Sequence, residues 1–204
     1  MLETFPQLWR AQDPRGRSLL HLAALAGDTP FITRALDAGL PVDSRTPDLQ
    51  TPLMFAALRG HVPAMRVLLD AHADLRSRDS AGATPLLIAV KNSRHNSLLL
   101  LMRRGTRDLL DEVDDENCSV AHWAAHAGDR LTIRLLDHLG ANWGAVDAEG
   151  YLPLHRAVAA DRSAAVEMLL QLRCDPYAKE MSGMDCLALA QEEGSEEARR
   201  VLTK

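Results

Sequence analysis

Cys118 and His122 are the two residues of this sequence whose types and spacing could support covalent chemistry. They stand four residues apart, and a cysteine thiolate activated by a neighbouring histidine is a common enzymatic nucleophile. Cys118, however, falls just before a predicted helix cap, at a loop position whose residue type varies along the chain. The sequence therefore favours a structural role for the pair, and loss of an activity in Cys118→Ser would be the evidence for a catalytic one.

The remaining reactive residues also lack the spacing that a site would need. The cysteines Cys118, Cys174 and Cys186 are odd in number and form no CxxC pair. No cysteine–histidine cluster has zinc spacing, and no glycine loop has the pattern of a phosphate or dinucleotide site. We therefore expect no enzyme activity, no cofactor and no metal. The cysteine usage is typical of a reducing, cytoplasmic compartment.

The elements that position these residues repeat along the chain. A block over residues 48–78 contains the triplet Thr51-Pro52-Leu53, an alanine pair, a Gly-His pair and a second apolar stretch. Residues equivalent to Thr51 recur at steps of 33 residues, with one step of 35. These anchors are Ser18, Thr51, Thr84, Ser119, Leu152 and Asp185.

Apolar residues at fixed distances from the anchors predict two helices in each repeat. The second and fifth residues after each anchor are apolar, at the spacing of one helix face. They are Leu20, Ala23, Leu53, Ala56, Leu86, Ala89, Ala121, Ala124, Leu154, Ala157, Leu187 and Ala190. A second stripe follows at the fourteenth and seventeenth residues. It comprises Ile32, Ala35, Met65, Leu68, Leu98, Leu101, Ile133, Leu136, Val166 and Leu169. In the last repeat Arg199 interrupts the second stripe, as expected where a terminal repeat meets water.

Residues that end the first helix are mostly glycine. Gly27, Gly60 and Gly128 suit the left-handed turn that follows a helix. Ser93 and Asp161 replace glycine in the third and fifth repeats, so we expect those two turns to be strained or reshaped.

The whole pattern resembles the ankyrin repeat, whose motif begins TPLHLAA, continues with GH and ends in GAD. The resemblance implies an all-α fold, an ankyrin-repeat solenoid of about six helix–turn–helix repeats with β-turn fingers. Residues 1–12 would then form an N-terminal cap, in which Leu8 and Trp9 cover the open end, and 13–204 the repeat domain. We expect the repeats at about 13–45, 46–78, 79–113, 114–146, 147–179 and 180–204.

His21, His122 and His155 occupy the third position after their anchors. A catalytic triad needs one unique cluster rather than the same residue at three equivalent places. We therefore predict that each histidine bonds the turn of a neighbouring repeat.

Two repeats show a narrower resemblance. The run Cys118 to Ala125 and the run from Leu139 to Ala157 resemble the ankyrin arm of DHHC-type protein S-acyltransferases, in which that arm recruits substrates. The chain has no Asp-His-His-Cys motif and no apolar run long enough to cross a bilayer. An arm of this kind would need a catalytic part that is not in this chain.

Charge is divided unevenly along the sequence. Residues 1–105 hold 13 Lys+Arg and 9 Asp+Glu, whereas 106–204 hold 10 and 19. Basic residues are scattered rather than gathered into a stripe, which disfavours nucleic-acid binding. The asymmetry is instead expected to steer a partner protein.

The resemblance implies a partner protein or extended peptide on the concave side, against the finger tips and the outward face of each first helix. We expect a monomer with no nucleic-acid partner and no direct membrane insertion.

Trp123 and Arg156, both fourth after an anchor, either form an anchor pocket or stack on each other. The predicted partner-binding residues are Arg15, Arg17, Arg45, Arg59, Arg78, Lys91, Trp123, His126, Glu149, Tyr151 and Arg156. For each charged residue the alternative is that it only keeps the surface soluble.

Overall fold

Twelve α-helices, in six consecutive pairs, make up the regular structure of residues 11–203, the part of the chain that the computed structural model describes. The predicted cap residues Leu8 and Trp9 lie outside this part. The first six helices are α1 Leu19–Ala26, α2 Thr29–Asp37, α3 Pro52–Arg59, α4 Val62–Asp70, α5 Pro85–Lys91 and α6 His95–Arg104. The others are α7 Val120–Ala127, α8 Arg130–Leu139, α9 Pro153–Ala159, α10 Ser163–Gln171, α11 Cys186–Glu192 and α12 Glu196–Leu202. A 3₁₀ helix, Arg107–Asp111, lies between α6 and α7, where the step between anchors is 35 residues instead of 33.

The residues fall into two compact units. The N-terminal unit comprises residues 11–89 and 96–106, and the C-terminal unit comprises 90–95 and 107–203. In the N-terminal unit α1 packs on α3 and α2 packs on α4. In the C-terminal unit α7, α9 and α11 pack in sequence, as do α8, α10 and α12. Helices α5 and α6 contribute residues to both units.

Each first helix starts at its anchor. Thr51 Oγ1 accepts the N–H of Met54, and Asp185 accepts the N–H groups of Leu187 and Ala188. Proline at the first helical position, as at Pro52 and Pro153, has no N–H that would otherwise need a partner. The first helices therefore begin directly after their anchors.

A β-turn finger precedes each anchor. In every finger the residue five before the anchor donates its backbone N–H to the carbonyl of the residue just before the anchor. These donor–acceptor pairs are Asp13–Arg17, Thr46–Gln50, Asp79–Ala83, Asp114–Cys118, Asp147–Tyr151 and Glu180–Met184. The expectation of an all-α repeat fold with β-turn fingers is thus confirmed.

The apolar stripes form the core, with one exception. All ten residues of the second stripe are at most 1% exposed. Eleven of the twelve residues of the first stripe are buried, but Leu187 is 37% exposed, so its predicted burial is wrong. In α11 the buried residues are Cys186, Leu189 and Ala190. Helix α11 packs against α9 and α12, and the described chain has no further helix pair after α12 that could cover Leu187.

The two turns without glycine adopt the glycine conformation. Ser93 and Asp161 have φ of +53° and +52°, which costs an ordinary L-residue free energy. Gly128, at the equivalent turn after α7, has φ +80°. The prediction that Ser93 and Asp161 sit in strained turns is confirmed.

Gly128→Ala is expected to lower the free energy of unfolding by about 1–3 kcal/mol, because a Cβ is strained at this φ. The new Cβ would also lie 2.8 Å from Cδ of Arg162. Gly194→Ala is the matched control, since Gly194 has φ +70° and no heavy atom lies within 4 Å of the place that its Cβ would take. Urea denaturation should show Gly128→Ala to be the more destabilised variant. Equal losses would mean that the Arg162 contact contributes nothing.

Candidate functional site

The three repeated histidines tie neighbouring repeats together. Nε2 lies 3.0 Å from the Gln50 carbonyl oxygen in His21, 2.9 Å from that of Tyr151 in His122 and 3.0 Å from that of Ala178 in His155. In each ring Nδ1 accepts the backbone N–H of the anchor three residues earlier, at 3.1–3.2 Å. The predicted structural role is confirmed, since each histidine bonds a turn of the next repeat.

This bonding requires the neutral form of each ring. An Nδ1 that accepts a hydrogen bond cannot carry a proton, so the proton must be on Nε2, where it is donated to the carbonyl. Burial lowers the pKa of His21, His122 and His155 below the usual 6.5, although the hydrogen bonds to carbonyls act in the opposite direction. The three side chains are at most 1% exposed and act as fixed hydrogen-bonding links.

Cys118 and His122 do not form a nucleophile–base pair. Both ring nitrogens of His122 are already engaged, and the thiol of Cys118 is directed to Asp147 Oδ2, 3.8 Å away. Burial raises the pKa of Cys118 to about 12. A thiol in this state is not an activated nucleophile.

We expect all three cysteines to resist alkylation in the folded protein. Burial raises the pKa of Cys174 to about 11 and that of Cys186 to about 12, so little thiolate exists at pH 8. Iodoacetamide labelling followed by mass spectrometry should modify the urea-denatured protein fully and the native protein slowly, with Cys174, the half-buried one, first. Rapid native labelling of Cys118 would contradict this inert role.

A carboxylate five residues before the anchor shapes the fingers of the C-terminal unit. Asp114 Oδ1 accepts the N–H groups of Glu116 and Cys118. Asp147 Oδ1 accepts those of Glu149 and Tyr151 in the same way. Each aspartate thereby satisfies two backbone donors that the finger turn would otherwise leave without partners.

The second oxygen of each aspartate holds the side chain four residues after the anchor. Asp114 Oδ2 accepts the indole N–H of Trp123 at 2.7 Å, and Asp147 Oδ2 accepts the Nε–H of Arg156 at 2.6 Å. Asp147 is fully buried as a side chain, and Arg156 is 22% exposed. One carboxylate therefore fixes both a finger and a surface side chain on the adjoining helix.

Two cation–aromatic pairs lie on this surface. The ammonium of Lys91 lies 3.7 Å from the centroid of the Trp123 ring, and the Arg156 guanidinium lies 5.0 Å from that of Tyr151. Arg156 also pairs with Glu149 at 3.2 Å. The cation over Trp123 is thus Lys91, one repeat earlier, whereas Arg156 lies over Tyr151.

Six predicted site residues are therefore assembled in the C-terminal unit. We refer to Lys91, Trp123, His126, Glu149, Tyr151 and Arg156 together as the finger–helix surface. Trp123, Tyr151 and Arg156 are half-buried, whereas Lys91, His126 and Glu149 are exposed. The remaining five, Arg15, Arg17, Arg45, Arg59 and Arg78, lie in the N-terminal unit.

The predicted residues of the N-terminal unit are mostly exposed. Arg15, Arg45, Arg59 and Arg78 are exposed, and Arg17 is half-buried. The guanidinium of Arg17 pairs with Asp13 at 2.6 Å, within its own finger. Arg17 thus stabilises a finger turn, in addition to any role toward a partner.

Asp114 and Asp147 are not among the predicted site residues, although they organise the finger–helix surface. Aspartate stands at the same distance before the anchor at Asp13 and Asp79. The recurrence of aspartate five residues before the anchor is the sequence pattern that identifies Asp114 and Asp147.

Metal sites and membrane spans are not found in the described part of the chain. Within 11–203 no three His, Cys, Asp or Glu side chains converge as a metal ion would require. In the same residues no helix is both long and apolar enough to cross a membrane.

Comparison with known proteins places these observations in a family. The family model described as ankyrin repeats (3 copies) matches residues 20–110 and 100–180. Palmitoyltransferase AKR1 of Saccharomyces cerevisiae is 39% identical over 70 residues, which cover 34% of this chain and 9% of that protein. Palmitoyltransferase AKR1 of Debaryomyces hansenii is 31% identical over 83 residues, 41% of this chain and 10% of that protein.

A relative with a different name matches over a similar length. The ADP-ribosylation factor GTPase-activating protein AGD2 of Arabidopsis thaliana is 31% identical over 80 residues, 39% of this chain and 10% of that protein. The matched segments thus span about a tenth of the length of these curated relatives. The repeated anchors, the fingers and the family model together show that the chain belongs to the ankyrin-repeat family.

Proposed function

We propose that this chain is a protein-interaction scaffold that binds a partner protein or extended peptide through its fingers and first helices, on the concave face typical of ankyrin repeats. The observation that carries the proposal is the finger–helix surface, where Trp123 and Arg156 are each held by a buried aspartate. Tryptophan and arginine dominate the binding energy of protein interfaces. Side chains that are already held in place lose less conformational entropy on binding.

The surrounding positions support the same role. Lys91, His126 and Glu149 are exposed and take no part in the apolar core. Their types differ from repeat to repeat, as expected of positions that select a partner. On this proposal the chain acts in the cytoplasm as a monomer, and it neither binds nucleic acid nor inserts into a membrane.

Trp123→Ala is expected to weaken partner binding by more than about 2 kcal/mol, the threshold for an interface hot spot. The probe is a peptide selected on the wild-type chain from a displayed random library and measured by isothermal titration calorimetry. Trp123→Phe keeps an aromatic face without the N–H that Asp114 accepts, and should lose less affinity. Trp143→Ala removes a half-buried tryptophan whose N–H is bonded to Asp137 instead, and serves as the matched control.

An unchanged affinity in Trp123→Ala, with native circular dichroism and melting behaviour, would remove Trp123 from the interface. A loss of affinity as large in Trp143→Ala would show that the effect is not specific to the finger–helix surface.

A second proposal is that the chain is the substrate-recruiting ankyrin arm of a membrane DHHC-type palmitoyltransferase whose catalytic part is not in this chain. The matches to two palmitoyltransferases support it. A match of similar length to a GTPase-activating protein is the observation that favours a more general binding role. A membrane-spanning DHHC domain encoded by the same full-length gene would favour the arm, and its absence would favour the independent scaffold.

A further inference from the structure

Two basic side chains contact the Trp123 indole in the C-terminal unit, and a third is bonded to the backbone of the same helix. Lys91 lies over one face of the indole, and the ring of His126 meets the indole edge-on at 5.7 Å between centroids. Arg162, exposed at the start of α10, donates its Nε–H to the carbonyl oxygen of His126 at 3.1 Å. We refer to Lys91, His126 and Arg162 as the Trp123 basic cluster.

The charge of this cluster is carried by Lys91 and Arg162, because the pKa of His126 is lowered. Among the described residues, neither Lys91 nor Arg162 has a carboxylate oxygen within ion-pair distance. The carboxylate of Asp114, which accepts the indole N–H, already accepts two backbone N–H groups and is 8% exposed. Arg156 differs from the cluster, since Asp147 and Glu149 pair with it.

The pKa of His126 reflects the positive charges near it. Burial lowers the pKa of His126, and the positive charges of Arg162, Lys91 and Arg156 lower it further. These positive charges therefore act on the ring that meets the indole edge-on.

This positive patch lies in an acidic unit. Residues 90–95 and 107–203 contain 11 Lys+Arg and 19 Asp+Glu, a net charge of −8. Charges more than about 8 Å away are largely screened at physiological ionic strength. For a group in contact with the indole, the charges of the nearby basic cluster therefore outweigh the more distant acidic charges.

We propose that the Trp123 basic cluster binds a carboxylate side chain of an acidic partner segment, with an apolar neighbour of that carboxylate packed on the indole. The inference rests on the proposed scaffold function and names the chemistry of the partner. A second cation at this place would be repelled by Lys91 and Arg162. A phosphate dianion fits less well than a carboxylate, because only Lys91 lies over the indole and Arg162 already donates its Nε–H to the His126 carbonyl oxygen.

The test is a selection of displayed random 12-residue peptides on two baits. One bait is the wild-type chain, and the other is the double variant Lys91→Gln, Arg162→Gln. Peptides enriched on the wild type should contain Asp or Glu next to an apolar residue, and this enrichment should disappear on the double variant. Arg134→Gln, which removes an exposed positive charge on α8, is the control for net charge.

The outcomes distinguish failure of the acidic-segment inference from failure of the scaffold proposal. Enrichment of neutral or basic peptides on the wild type would overturn the acidic-segment inference and leave the scaffold function standing. Acidic peptides that bind the double variant equally well would also overturn the inference. If no peptide family is enriched on the wild type, both proposals fail.

A selected acidic peptide then allows the site to be tested residue by residue by fluorescence anisotropy. Lys91→Gln should weaken binding about fivefold, the effect of losing one partly exposed ion pair. Arg162→Lys keeps the charge and should bind nearly as well as the wild type, whereas Arg162→Gln should not. The same peptide with glutamine for glutamate should bind wild type more weakly, and with phosphoserine for glutamate it should not bind more tightly. A phosphopeptide that binds tighter, or a Lys91→Gln variant with unchanged affinity, would overturn the proposal.

Discussion

Asp147→Ala is expected to lower the free energy of unfolding by about 3–5 kcal/mol, the usual result of removing one partner from a buried ion pair. Asp147 has a fully buried side chain, and its carboxylate accepts the N–H groups of Glu149 and Tyr151 and the Nε–H of Arg156. Alanine would leave two backbone donors of the finger without partners. It would also leave Arg156 with only the exposed Glu149 as a counter-charge.

Asp147→Asn separates the two roles of this carboxylate. The amide oxygen can still accept both backbone N–H groups, but the amide nitrogen cannot pair with Arg156, so we expect a smaller loss than in Asp147→Ala. Unfolding in urea should be followed by tryptophan fluorescence in a Trp9→Phe background, where Trp123 and Trp143 both report on the C-terminal unit.

Glu149→Ala, which removes the exposed partner of the same arginine, is the matched control and should change stability by less than about 1 kcal/mol. If Asp147→Ala were no more destabilising than Glu149→Ala, the assignment of Asp147 as the link between finger and helix would be wrong.

Stability is also expected to fall steeply as the pH drops below 6.5. The pKa of His21, His122 and His155 is lowered in the folded protein by burial, so below 6.5 the unfolded chain binds protons that the folded chain does not. The stabilisation is complete above the unfolded pKa of about 6.5 and is lost as the pH falls toward the folded pKa. The pKa of His126 is lowered in the same direction, by burial and by neighbouring positive charges. Four such groups give a slope of at most about 5 kcal/mol per pH unit.

Other groups with shifted pKa act outside this window. The pKa of Asp13 is lowered by the hydrogen bond from Arg17, and that of Glu180 by the hydrogen bond from Ser182. Carboxylates of this kind lose their contribution below about pH 4. The cysteines, whose pKa is raised, act only at alkaline pH. The interval from pH 5 to 6.5 therefore reports mainly on the histidines.

Urea denaturation at a series of pH values from 5 to 8 measures the slope. His122→Gln replaces one ring by a side chain that does not titrate, and should reduce the slope by about one quarter while lowering stability at pH 7.5. His72→Gln is the control, since His72 is exposed and makes none of the ring bonds described above. A flat profile in the wild type, or an unchanged slope in His122→Gln, would show that these rings are not held neutral.

The repeat register is predictable from the amino-acid order because it depends on local chemistry. Anchors such as Thr51 and Asp185 cap helices through their own side chains, and the apolar stripes follow the helical period. The strained turns at Ser93 and Asp161 are predictable for the same reason, since each residue replaces a glycine at a fixed distance from its anchor.

Leu187 shows where the same reasoning fails. Its position in the pattern is identical to that of the buried Leu154, yet it is 37% exposed. Burial depends on a following helix pair that covers the residue, and periodicity does not specify what that pair is.

The partners of the long side chains at the finger–helix surface depend on the tertiary structure. The sequence predicts that Trp123 and Arg156 lie on this surface, but Lys91 over Trp123 and Tyr151 beneath Arg156 are contacts across repeats or between a finger and a helix. Long flexible side chains can reach several neighbours, and the choice among them depends on where each aspartate directs its second oxygen. The amino-acid order alone thus establishes the family, the helices and the core, because these repeat at short range. The bonding of Asp114, Asp147 and the basic residues around Trp123 emerges only from packing in three dimensions, because it joins residues that the repeat spacing does not pair.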